Sequence, residues 1–190
     1  MNVTPPRYEY RAWAEDLSIL ADRIQARSEG ESVRTSEEIY LVLPATGINP
    51  KIRDMQLDVK VLVDVRRGFE QWEPRLKTEF PLPTGSLREE AFDLLEMANP
   101  QDVDLTLDRF LALIEDVDGV RAVMVTKERR GFTVAGCVAE VASVTIGGVP
   151  LQTVAVESAD LDAAVEAARL TGLTDFENVN YPTIIKRTIA

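Results

Sequence analysis

The chain has 190 residues, 45% hydrophobic and 28% charged, which suffices for one hydrophobic core, so a single domain over 1–190 is expected. A formal net charge of −11 disfavours the broad positive face that nucleic-acid backbones reward, so no nucleic-acid partner is expected. The absence of histidine and the presence of one cysteine, Cys137, exclude histidine-based nucleophilic catalysis, His-ligated zinc, an internal disulfide and multi-cysteine metal sites.

No stretch reaches the apolar length of a membrane span, and Met1-Asn2-Val3-Thr4-Pro5-Pro6 has neither a basic nor an apolar leader region. The expectation is a cytoplasmic protein without a membrane partner. Chemistry must come from carboxylates, amines, guanidiniums, hydroxyls or a carboxylate-bound metal.

In chain order, Arg7 to Trp13 alternates aromatics with charges and reads as a strand. Leu17, Leu20, Ala21 and Ile24 form an apolar stripe on a helix within Glu15 to Arg27. A turn at Ser28 to Glu31 is followed by a strand from Glu38 to Leu43, closed by Pro44. Between Lys51 and Val63 two alternating pieces put Lys51 and Arg53 on one face, and Gln56, Asp58 and Lys60 on another. Arg75 to Phe80 repeats the alternation, with Arg75, Lys77 and Glu79 opposite Leu76 and Phe80. Ser86 and Glu89 suggest a capping box for a helix that ends at Asn99-Pro100, and Leu107, Phe110, Leu111 and Ile114 mark a shorter helix. Strands return at Val120 to Lys127, Gly131 to Thr145 and Val149 to Glu157, with turns at Arg130-Gly131 and Gly147-Gly148. Ser158 is the expected N-cap of a helix ending at Gly172, and Tyr181 to Ile189 forms a small apolar cap. This order indicates an α+β fold with a largely antiparallel sheet.

The charges divide by element type. Arg7, Arg11, Lys51, Arg53, Lys60, Arg75, Lys77, Lys127 and Arg129 lie on or beside strands, whereas acids such as Glu89, Glu90, Asp93, Asp102, Asp104 and Asp160 lie on helices and loops. Strands charged on one face and apolar on the other either show the charged face to solvent or curl so that it lines an interior. The excess of cations on the strands of a net acidic chain favours the interior. Glu9, Asp58, Glu79, Glu140 and Glu157 have the parity to face it too, either as cross-strand ion-pair partners or as ligands of Mg²⁺ or Mn²⁺.

These residues resemble the CYTH family of triphosphate tunnel metalloenzymes, which includes thiamine triphosphatases, inorganic triphosphatases and a class of adenylate cyclases. Arg7-Tyr8-Glu9-Tyr10-Arg11 is similar to the family's opening Glu-x-Glu-x-Lys, and Lys51-Ile52-Arg53, Leu57-Asp58-Val59-Lys60 and Arg75-Leu76-Lys77-Thr78-Glu79 to its following strands. Lys127-Glu128-Arg129, Ala155-Val156-Glu157 and Asn180-Tyr181 continue the order. The resemblance implies a closed or nearly closed eight-stranded antiparallel β-barrel, a tunnel with flanking helices, often in a homodimer. It also implies hydrolysis of a small-molecule polyphosphate or nucleotide by a metal-activated water, with cyclase activity less expected. Phosphate would be held by Arg11, Lys51, Arg53, Lys60, Arg75, Lys77, Lys127 and Arg129, and Mg²⁺ or Mn²⁺ by Glu9, Glu79, Glu140 and Glu157. Arg7 and Ala155 stand where the family has carboxylates and Arg11 where it has lysine, so a second expectation is a tunnel that binds a polyanion without turnover. A third is a charged sheet face that is merely solvated.

Overall fold

The computed structural model describes residues 5–45, 47–100 and 105–190. Met1 to Thr4, where no leader was read, and Asp102 and Asp104 of the acidic set lie outside the described residues.

The elements are β1 (Arg7–Ala14), α1 (Ser18–Gln25), β2 (Ser32–Val42), β3 (Ile48–Arg53), β4 (Gln56–Arg66), β5 (Phe69–Glu79), α2 (Ser86–Leu94), α3 (Leu107–Glu115), β6 (Arg121–Val134), β7 (Cys137–Ile146), β8 (Val149–Ser158), α4 (Leu161–Thr171) and α5 (Tyr181–Ile189). The eight strands close into an antiparallel barrel in the order β1-β5-β4-β3-β2-β6-β7-β8. The α+β tunnel expected from the sequence is therefore present, and its closure rules out the solvated charged face. No described helix is long and apolar enough to cross a membrane.

Strand periodicity divides the packing. Alternate residues of β1, β7 and β8, among them Ala12, Ala139, Val154 and Val156, point outward and bury against α1 and α4. Ile52, Leu57, Val59 and Leu76 point outward on the other side and meet Phe92 of α2 and Phe110 of α3. A third cluster lies inside the barrel, where Tyr40, Val42, Val123, Val125, Val144 and Ile146 pack on Tyr181 and Ile185 of α5. That helix plugs one end of the tunnel.

Several boundaries differ from the sequence reading for local reasons. The turn expected at Arg130-Gly131 is absent, and β6 runs through it to a two-residue turn at Ala135-Gly136, both at positive φ. Gly131 serves close approach instead, since a Cβ there would lie 2.7 Å from the Ser32 hydroxyl. The expected cap Ser158 is displaced by Asp160, whose carboxylate accepts from the Asp162 and Ala163 backbone N–H groups at 2.8 and 3.2 Å. Helix α2 starts after Gly85 without a side-chain cap, so the Ser86–Glu89 capping box does not form. Its expected extension to Asn99-Pro100 stops at Leu94, near Glu96 at φ 55°. The first half of β5 went unread because Pro74 interrupts its pattern. Pro74 sits at an irregularity where Val59 pairs Leu76 and Lys60 pairs Pro74, leaving Arg75 without a partner on β4.

The β1–β5 seam covers only Arg7 to Glu9. Beyond it the chain between α4 and α5 takes over. The Arg11 N–H donates to Asn178 Oδ1 at 2.8 Å, and the Val179 N–H donates to the Arg11 carbonyl at 2.9 Å.

Candidate functional site

The inward faces of the strands enclose a cavity of about 230 Å³. Six cations line it: Arg11 from β1, Lys51 and Arg53 from β3, Lys60 from β4, and Lys127 and Arg129 from β6. Glu9, Asp58, Glu140 and Glu157 share the wall. Alternation accounts for most of the set, because Glu9 and Arg11, Lys51 and Arg53, Asp58 and Lys60, and Lys127 and Arg129 each lie two positions apart on one strand face.

Behind the wall lies Glu38 of β2, with 0% of its side chain exposed. Its carboxylate is 2.9 Å from Lys127 Nζ and 3.4 Å from each of Lys51 Nζ, Arg53 Nη1 and Arg129 Nη2. The Ser36 hydroxyl adds a hydrogen bond at 3.1 Å. Burial alone would raise the Glu38 carboxyl, but the charges of Lys51 and Lys127 outweigh it and hold it well below the usual carboxylate range. Lys127 has the converse balance. Burial, with repulsion from Lys51, outweighs its share of Glu38 and pushes its ammonium down to about 7.

Lys127 also donates to the Tyr40 hydroxyl at 2.7 Å and lies 3.7 Å from the centre of the Tyr181 ring, which stacks on Tyr40 at 5.0 Å. The Tyr181 hydroxyl and Arg129 Nε are buried without a hydrogen-bond partner, and so is the Asn49 side-chain oxygen on the same wall.

A second cluster surrounds Arg11. Its guanidinium donates to Glu9 at 2.8 Å, to Glu140 at 3.0 Å and to the Thr153 hydroxyl at 3.2 Å. Burial would raise both carboxyls, but Arg11, aided by Lys60 at Glu9 and by Lys127 and Arg129 at Glu140, holds them below their ordinary values. Deeper in the wall, Glu70 of β5 accepts from Trp72 Nε1 at 3.1 Å and from Asn180 at 2.8 Å. Asn180 also caps α5, accepting from the Thr183 N–H at 2.9 Å.

Nine of the twelve residues expected at the site from the sequence line this cavity: Glu9, Arg11, Lys51, Arg53, Lys60, Lys127, Arg129, Glu140 and Glu157. Arg75, Lys77 and Glu79 do not. Arg75 is exposed and 2.9 Å from Glu73, and Glu79 is exposed and accepts from Gln56 at 3.0 Å. Lys77, paired with Asp58 in register, is exposed on the outer rim. Glu38, Tyr40, Thr153 and Glu70 were missed. The parity of Glu38 with Tyr40 on the expected strand from Glu38 to Leu43 was the available signal.

The donor set for Mg²⁺ or Mn²⁺ does not converge. Glu9 and Glu140 are both held by Arg11, Glu157 is 2.9 Å from Arg7, and Glu79 is on the rim. Among the described residues no three Asp, Glu or Cys side chains gather as a metal-holding group. The residues present thus do not form a ready divalent-cation site.

An antiparallel eight-stranded barrel with a charged bore and one end plugged by a helix is a tunnel architecture, and solved structures share it. HpAC1 from Hippeastrum, described as an adenylyl cyclase with a dominant triphosphatase activity, matches at TM-score 0.59 and 10% identity over 96% of each chain. A conserved hypothetical protein from Pyrococcus furiosus matches at 0.57 and 18% identity, over 93% of this chain and 98% of that one. A Bacillus halodurans protein assigned as an adenylate cyclase matches at 0.57 and 8% identity over 96% of each chain. At these identities the likeness establishes a common fold, the level at which the resemblance to the CYTH family holds. No family model matches the chain, and no curated protein matches it in sequence.

Proposed function

We propose that this protein binds a compact oligophosphate anion in the bore of its barrel. The observation that carries the reading is the convergence of six cations from β1, β3, β4 and β6 on one small cavity in a chain of net charge −11. Six cations and four carboxylates line the bore, with Glu38 behind them, so it is far less acidic than the chain around it. Lys60 forms no ion pair among the described residues and is ready for a guest, whereas Arg11, Arg53 and Arg129 would exchange carboxylate for phosphate oxygens. Turnover is not needed for this reading, in keeping with Arg7 and Ala155 at positions where the resemblance leads one to expect carboxylates.

Calorimetry with inorganic tripolyphosphate in chelator tests it. Binding is expected, and Lys51→Ala or Arg53→Ala should weaken it at least tenfold; no binding by the folded wild-type chain rejects the reading. Metal-dependent hydrolysis is a second reading, favoured by the fold shared with HpAC1. It requires Glu9 or Glu140 to leave Arg11, with Mg²⁺ or Mn²⁺ supplying charge neutralisation and an activated water. Phosphate release from tripolyphosphate, thiamine triphosphate and nucleoside triphosphates, with each metal, decides it, and no metal-dependent release from any of them rejects it.

A further inference from the structure

The chain has five lysines, Lys51, Lys60, Lys77, Lys127 and Lys186, and one of them is placed to act as a nucleophile. Lys127 lines the inner cavity with only 2% of its side chain exposed. Its Nζ meets Glu38 and Tyr40 of β2 at 2.9 and 2.7 Å and the Tyr181 ring of α5 at 3.7 Å, and Lys51 of β3 and Glu140 of β7 act on its charge. Burial pushes its ammonium down to about 7, so near neutral pH about half of it is the free amine. Lys51, Arg53 and Arg129 stand around the same Glu38 carboxylate, each 3.4 Å from it. A phosphate drawn to these cations therefore sits beside the Lys127 amine. The cavity of about 230 Å³ leaves room for that phosphate and a short acyl chain.

An acyl phosphate joins an anionic phosphate to an electrophilic carbonyl carbon through one bridging oxygen. We infer that Lys127 is a modification site, N-acylated by small acyl phosphates that the bore holds by their phosphate group. The amine nitrogen bonds to the carbonyl carbon, the bond from that carbon to the bridging oxygen breaks, and the nitrogen's proton leaves with the phosphate as hydrogen phosphate. Nothing is oxidised or reduced, and the product is a neutral amide. The amide deprives Glu38 of its nearest cation and the bore of one of its six, so the modified chain binds oligophosphate more weakly.

This inference rests on the reading of the bore as an oligophosphate site, and the test separates the two. The intact chain is incubated with acetyl phosphate near neutral pH, and acetylation of each lysine is followed by peptide mass spectrometry. Lys127 is expected to react at least about tenfold faster than Lys77 and Lys186, and tripolyphosphate to slow it by a similar factor. Acetic anhydride delivers the same acyl group without a phosphate, so with it the preference for Lys127 should shrink severalfold. Acetyl groups spread evenly over the lysines, or Lys51 or Lys60 modified ahead of Lys127, would overturn the inference. So would a preference that acetic anhydride reproduces or that tripolyphosphate leaves unchanged. If tripolyphosphate binds in calorimetry while Lys127 stays unmodified, the acylation site falls and the oligophosphate reading stands. If tripolyphosphate does not bind, both fall.

Discussion

A carboxylate with four cationic neighbours and an ammonium that shares it are both held below their ordinary values, so each makes stability rise with pH, the carboxylate in the acid range and the ammonium above neutrality. Glu38 is fully buried, so removing its charge leaves Lys51, Arg53, Lys127 and Arg129 to repel one another in the bore. Glu38→Gln is expected to lower unfolding free energy by about 3–5 kcal/mol, read by urea denaturation, because breaking a buried pair strands its partners. For Lys127 the folded value of about 7 lies below the ordinary 10.5, so between these limits the unfolded chain binds more protons than the folded one. Its contribution therefore makes stability rise with pH across that window, by at most about 1.4 kcal/mol per pH unit, and Lys127→Met should flatten the rise measured between pH 7 and 10. The same ammonium faces the anion. Oligophosphate affinity should fall as pH climbs past about 7, and calorimetry in buffers of different ionisation enthalpy should show proton uptake on binding.

Among the elements, α5 has the clearest mechanical role, since it closes one end of the barrel and supplies Tyr181 to the floor of the cavity. Trp13 donates to the Val179 carbonyl at 2.8 Å, and Asn180 joins the cap of α5 to Glu70, so the plug is tied to both walls of the short β1–β5 seam. Ile185, 0% exposed, is its apolar anchor. Ile185→Ala should cost about 2–5 kcal/mol by thermal unfolding, and should weaken tripolyphosphate binding as the Tyr181 floor loosens. The sequence showed Tyr181, Ile184, Ile185 and Ile189 as an apolar cap because helical spacing is a local signal. What they cap was invisible, since the partners Val42, Val125 and Ile146 come from three strands remote in sequence. Gly131 teaches the converse: a glycine beside Arg130 looks like a turn until the strand lying against it is known.

For the molecule as a whole, an acidic exterior around a cationic bore selects guests by size as well as sign. A duplex nucleic acid is too wide to enter and meets net negative charge outside, so it should not displace tripolyphosphate in competition binding at about 0.15 M salt. Residue types and their two-residue spacing determined that Glu9 would share a strand face with Arg11, Lys51 with Arg53, Asp58 with Lys60 and Lys127 with Arg129, because side-chain direction along a strand is fixed by the backbone alone. Only closure of the barrel decided which way those faces look, that Arg75, Lys77 and Glu79 stay outside the inner cavity, and that Glu38 lies behind its wall among four cations. Those outcomes depend on pairing between strands as distant as β1 and β8 and on the irregular β4–β5 register, contacts that no local pattern encodes.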